Sequence, residues 1–225
     1  MGGLGPLAGA HFYRRLVEKT PVMDESEHLP VRLWSAPDLP SRLDHMRGHG
    51  PSPGPALIRI AQGLVAVGAD FLVIPSSTTH YYYDQIAAAV KPVPILNLLE
   101  EVSLAIARTD ARTVGILATT PTIEFDLYHK AFARHDIIRR YPDQRSQEEV
   151  MDVIMAVKTG QPASEQAMKL LEIARRPWMD GCDGLVLACT EIPVVFAHGA
   201  WDSVDPRELF DATDILADAT IRASR

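Results

Sequence analysis

Gly68-Ala69-Asp70-Phe71-Leu72-Val73-Ile74-Pro75-Ser76-Ser77 aligns without a gap on Gly181-Cys182-Asp183-Gly184-Leu185-Val186-Leu187-Ala188-Cys189-Thr190, 113 residues later. Gly, Asp, Leu and Val match, and Ile74 stands against Leu187. Each stretch is a short apolar run ending in small polar residues. Thr113-Val114-Gly115-Ile116-Leu117 is a third such run. Continuous apolar runs between helical patterns read as strands covered on both faces, hence parallel sheets in an α/β fold. The repeat predicts two pseudo-symmetric α/β domains, each a mostly parallel sheet flanked by helices, with a cleft between them. We place the first at 1–97 plus 207–225 and the second at 98–206. Ligands of open parallel sheets bind at the carboxyl ends of strands, so Ser76 and Cys189 are expected on opposite sides of the cleft.

Around these runs the helical patterns fall at Ala56 to Val67, through Phe125, Tyr128 and Phe132, and around Met168-Leu171-Ile173-Ala174. Ser146 with Glu149 reads as a capping box opening a helix to about Val157, with Gly160 as its stop. A last helix fits from Asp211 into Ile221. Gly48 to Pro55, rich in Gly and Pro, reads as a loop over a site or at its rim.

Composition narrows the function. The 225 residues are 47% hydrophobic and 23% charged, the usage of an ordinary globular chain. The net charge of −7, with no Lys/Arg run, argues against nucleic acid and anionic membranes as partners. No stretch approaches the ~18 consecutive apolar residues of a membrane helix, and no charged-then-apolar leader is seen at the start. Two cysteines, Cys182 and Cys189, are not a disulfide framework. The expectation is a cytoplasmic protein.

Cys189 is the first polar position after an apolar strand, where a following helix N-terminus lowers a thiol's pKa and makes it a base or nucleophile. A buried structural thiol is the alternative, and Cys182 is read that way. Ser76-Ser77-Thr78-Thr79-His80 presents four hydroxyls at a strand end, with His80 in range to assist Ser76. Thr119-Thr120-Pro121-Thr122 is a second hydroxyl cluster at a strand end, and Thr190 marks a third. Gly2-Gly3-Leu4-Gly5-Pro6-Leu7-Ala8-Gly9 turns into a helix and can cradle an anion on backbone N–H groups, although it is not a nucleotide fingerprint. Arg42 and Lys158 are isolated cations. His45 and His49 are four apart, but among Gly and Pro they make a poor metal pair, and no metal site is expected.

These residues resemble the aspartate/glutamate racemase family. The family turn Gly-Gly-Met-Gly-Pro is similar to Gly2-Gly3-Leu4-Gly5-Pro6. Its first signature, Pro-Cys-Asn-Thr-Ala-His, is similar to Pro75-Ser76-Ser77-Thr78-Thr79-His80. Its second, Gly-Cys-Thr-Glu-Ile-Pro, is similar to Ala188-Cys189-Thr190-Glu191-Ile192-Pro193. Glu27-His28-Leu29-Pro30, Pro40-Ser41-Arg42, Gln147-Glu148-Glu149-Val150 and Phe210-Asp211-Ala212-Thr213 follow in family-like order, so the resemblance spans essentially the whole chain. It implies a racemase without cofactor, PLP included, in which two cysteines flank the α-carbon of a small acidic amino acid or diacid. It assigns Cys189 as one acid/base and Arg42 to the distal carboxylate, whose geometry matches a guanidinium fork. Lys158 would neutralise the site. Ser77, Thr78, Thr120, Thr122 and Thr190 would hold the α-carboxylate and amine, and Leu4 and Gly5 would shape the floor. It also implies a homodimer.

The departure from the family is Ser76, which stands where the first cysteine belongs, followed by Ser77 in place of Asn. A serine hydroxyl is a far weaker acid than a thiol, so an asymmetric reaction is expected: Cys189 deprotonates one enantiomer and Ser76 is the weak second partner. Two rivals stay open: decarboxylation or isomerisation of a small diacid on the same scaffold, and a ligand-binding relative without turnover. A second departure is at the start. The resemblance places a strand before the Gly2-Gly3 turn, and an upstream start supplying four or five more residues is expected.

Overall fold

The computed structural model describes residues 1–161, 163–196 and 208–225. The first half contains α1 (Pro6–Lys19), α2 (Arg42–Met46), α3 (Gly54–Ala66), β1 (Leu72–Val73), α4 (Tyr83–Ala89) and β2 (Ile95–Leu96). The chain continues through α5 (Leu98–Ala107), β3 (Thr113–Leu117), α6 (Thr120–Glu124), α7 (His129–Ala133), β4 (Ile138–Arg140) and α8 (Gln144–Lys158). It then forms α9 (Ala163–Ala174), β5 (Gly184–Leu187), α10 (Ile192–Phe196), β6 (Glu208–Asp211) and α11 (Ala212–Ala223). The fold is α/β with parallel sheets flanked by helices.

All three expected apolar runs form parallel strands. β1 pairs with β2. β3 and β5 are the central strands of a four-stranded parallel sheet ordered β4-β3-β5-β6. All four residues of β5 are buried, which is why its sequence is continuously apolar. One face of this sheet packs against α8 and α9 through Leu185, Leu187, Val150, Val153 and Leu170. The other packs against α5, α7 and α11 through Val114, Ile116, Val186, Phe132 and Leu216, joined by Phe12 and Leu16 of α1. A third core fills the first half around Leu57, Ile60, Ile74 and Ile86. Asp183, shared by the repeat, sets the register: its carboxylate accepts from the Arg112 and Thr113 backbone N–H groups at 2.8 Å each. β6, although it lies within 207–225, hydrogen-bonds to β5 as part of the four-stranded sheet, and α11 then packs on α1 and α5. Met1 is buried and its α-amino group donates to the Val73 carbonyl at 2.8 Å, while Gly2 bridges in parallel to Ser35.

Three local expectations need correction. The cap of α8 is Asp143, which accepts from the Ser146 N–H, while Glu149 pairs with Arg176, so Ser146 is inside the helix rather than its cap. An aspartate accepts this bond as well as serine does and sits three residues earlier. The helical pattern through Phe125, Tyr128 and Phe132 is broken into α6 and α7 by Asp126, which takes φ 44°. The loop at Gly48 to Pro55 ends early, because Gly54 and Pro55 open α3. Among the described residues no helix is long and apolar enough to cross a membrane.

Candidate active site

Ser76 and Cys189 each follow a buried apolar strand run, and polar side chains lace the two chain segments together. The Ser77 hydroxyl donates to the Ala188 carbonyl at 2.5 Å and therefore accepts from the Tyr128 hydroxyl at 3.1 Å. The Thr190 hydroxyl returns the contact by donating to the Pro75 carbonyl at 3.3 Å. Each of the two candidate acid/base residues thus has a neighbour bonded to the other's chain. Both are 5% exposed.

Beside them lies a cavity of about 370 Å³. Its lining takes Leu4 and Gly5 from the turn before α1, Arg42 from α2, Thr78, and Lys158 from the end of α8. Thr119, Pro121 and Met151 complete that side. The turn has its shape because Gly3 sits at φ 82°, where a Cβ would come within 2.1 Å of the Ala36 nitrogen. Arg42 donates to the Leu4 carbonyl at 2.9 Å, which holds the guanidinium beside that turn. Burial pushes its pKa down, and the Glu191 carboxylate opposes the shift. Thr78, Thr119 and Thr122 form a triangle of hydroxyl contacts of 2.9 to 3.1 Å. Thr122 is buried behind the other two.

The remaining residues singled out from the sequence are placed differently. Ser76, Ser77, Cys189 and Thr190 are buried and do not line the cavity. The Thr120 hydroxyl accepts from Gln147 at 3.2 Å, and the neighbouring Thr119 faces the cavity. The 48–55 loop contributes nothing to this lining, whereas residues 36–43 form one wall. His45 contacts the Tyr82 hydroxyl at 2.9 Å.

His80 does not assist the Ser76 hydroxyl. Its Nδ1 bonds the Ser76 backbone carbonyl, and its Nε2 accepts from the Leu98 N–H at 3.0 Å. The ring is neutral, with its pKa lowered to about 4 by burial. Thr79 is the partner instead: its hydroxyl donates to Ser76 Oγ at 2.8 Å. Ser76 keeps its own O–H for another acceptor.

The expected low thiol pKa at Cys189 is also corrected. Burial pushes the thiol well up, and the Glu191 charge adds to this. The S–H donates to Glu191 Oε2 at 3.1 Å, and Glu191 Oε1 lies 4.0 Å from Lys158 Nζ. Sequence reasoning passed over Glu191, although it stands inside the quoted Cys189-Thr190-Glu191 motif. It also passed over Thr119, the neighbour of the chosen Thr120.

The sequence matches the family described as Asp/Glu/Hydantoin racemase over residues 1–220. The chain belongs to this family. It is 26% identical over 210 residues to the broad specificity amino-acid racemase RacX of Bacillus subtilis, covering 88% of this chain and 86% of that one. A glutamate racemase of Corynebacterium kroppenstedtii is 31% identical over 154 residues, 65% of this chain and 52% of that protein. Among solved structures, the Picrophilus torridus aspartate racemase superposes with a TM-score of 0.83 at 25% identity, over 99% of this chain and 91% of that one. Enzymes named racemases thus resemble the chain in both sequence and fold.

Proposed function

We propose that the protein is a racemase or epimerase of aspartate, glutamate or a close acidic amino acid, working without PLP or another cofactor. The observation that carries this reading is the meeting of the Ser76 and Cys189 segments beside a small cavity with two cations. Cys189 is the main acid/base. As a thiolate it removes the Cα proton from the face it addresses. Ser76 is the weak partner on the other face. Thr79 donates to its oxygen, which leaves its O–H for another acceptor. Arg42 and Lys158 neutralise the carboxylates, and Thr78 with Thr119 adds hydroxyl donors. Fixed charges and donors in the site lower the cost of the carbanion-like transition state. Ser77, Thr122 and Thr190 act from behind by holding the two segments together, with Thr120 on α6 beside them. The resemblance also implies a homodimer, to be read by sedimentation, and the composition a cytoplasmic location.

The test is proton NMR in deuterium oxide with L- and D-aspartate and L- and D-glutamate, with Cys189→Ala alongside. One enantiomer is expected to lose its α-proton signal, its mirror image to lose it at least ~10-fold more slowly, and the variant to be silent. Absence of exchange in every sample would reject the acidic amino-acid reading, and carbon dioxide release from malonate-type acids would then identify a decarboxylase.

A further inference from the structure

The cavity has an apolar side that the carboxylates of a small diacid do not use. Its cations are Arg42 and Lys158, and its hydroxyls come from Thr78 and Thr119. Much of the remaining lining is aliphatic, with Leu39 and Leu43 on the α2 side and Met151 and Met155 on α8. Met151, Met155 and Lys158 follow at helical spacing, so one face of α8 presents two thioethers and then an ammonium to the cavity. The two thioethers are held differently. Met151 Sδ accepts from the Thr120 N–H at 3.3 Å, which fixes that side chain beside Thr119. Met155 is 52% exposed. Covering it removes apolar surface from water, which favours a ligand that brings methylene groups to it.

The dimensions point the same way. From Met151, beside the hydroxyls, to Lys158 the helix rises about 10 Å. The cavity volume of about 370 Å³ equals that of about twelve waters at ~30 Å³ each, more than the atoms of aspartate need. Both leave length to fill along the thioethers. We propose that Met151 and Met155 set the chain length of the substrate, taking its methylene groups so that the site favours glutamate and 2-aminoadipate over aspartate. The thioethers offer surface without a donor that would demand a partner, and their unbranched chains adapt to side chains of different length. The inference rests on the racemase reading for the reaction, but the binding preference is measurable without turnover.

Titration calorimetry with succinate, glutarate and adipate reads that preference. The wild-type Kd is expected to fall about fourfold with each added methylene. Met155→Gln keeps the length and the helix propensity but replaces the thioether by an amide. It is expected to flatten the series to less than twofold per step, while Met155→Leu keeps the slope. Far-UV circular dichroism checks that both variants are folded. Tightest binding by succinate, no binding by any of the three diacids, or a Met155→Gln series as steep as the wild type would overturn the proposal. In α-proton exchange, kcat/KM is expected to rise from aspartate through glutamate to 2-aminoadipate, with most of the change in KM, because the thioethers bind ground state and transition state alike. A sloped diacid series with no exchange of any amino acid would sink the racemase reading and leave the thioether wall standing. Exchange that is equally efficient for all three amino acids would do the reverse.

Discussion

Ser76 differs from a cysteine by one atom, and under the proposed racemase reading that atom sets which enantiomer reacts fast. A hydroxyl cannot be ionised near neutral pH without a partner base, and the nearest candidate, His80, is already committed to the Ser76 carbonyl and the Leu98 N–H. Ser76→Cys supplies a thiol at the same place. Exchange of the slower enantiomer is expected to rise by about tenfold or more, with little change for the faster one. Single-enantiomer NMR reads both rates, and an unchanged slow rate would remove Ser76 from the proposed site. Cys189 shows how far a residue's chemistry depends on its surroundings. A strand end before a helix suggests a low thiol pKa, yet the thiol is buried against a carboxylate. Burial and like charge outweigh the helix end.

At the scale of elements, α11 carries a measurable pH dependence. Its cap, Asp211, accepts from the Thr213 and Asp214 N–H groups at 2.7 and 3.2 Å. Desolvation, helped by the Asp214 charge, raises its carboxyl to about 7. The folded protein therefore holds this proton more tightly than the unfolded chain. The stability it brings is complete below about pH 4 and is lost as pH rises towards 7. Asp211→Asn keeps a capping acceptor and removes the ionisation. Its stability relative to the wild type should grow by up to about 1.4 kcal/mol per unit between about pH 4 and 7, measured by urea unfolding. A difference that stays constant with pH would refute the assignment. Caps of this kind were only partly legible in the sequence. Asp211 stood at the right place before an apolar pattern, but at α8 the sequence pattern pointed to Ser146 as the cap. Only the backbone path showed that Asp143 accepts the bond.

Across the whole molecule, side-chain bonds cross between the halves at one level. Ser77 reaches Ala188, Thr190 reaches Pro75, and Thr78 meets Thr119 and Thr122. Ser77→Ala leaves the buried Ala188 carbonyl and Tyr128 hydroxyl short of a partner. A loss of about 1–3 kcal/mol in chemical denaturation is expected, and a change within error would mean that this lacing contributes nothing to the fold. Arg42, Thr78, Lys158, Leu4 and Gly5 are far apart in sequence, and they share one cavity because α1, α2 and the end of α8 converge beside the laced strand ends.

The sequence by itself determined the strands β1, β3 and β5, the parallel arrangement and the hydroxyl-rich strand ends, while β2, β4 and β6 emerged only in the structure. Those features are written in local apolar runs and in the residue types that end them, where burial on both faces leaves no other pattern. It also determined the departure at Ser76, which is a matter of one letter. Only the tertiary structure decided the partners. The pairing of Cys189 with Glu191, of Ser76 with Thr79, and the place of Thr119 on the cavity wall depend on side-chain direction and on desolvation. Those two quantities are set by everything packed around a residue, and no local stretch of sequence contains them.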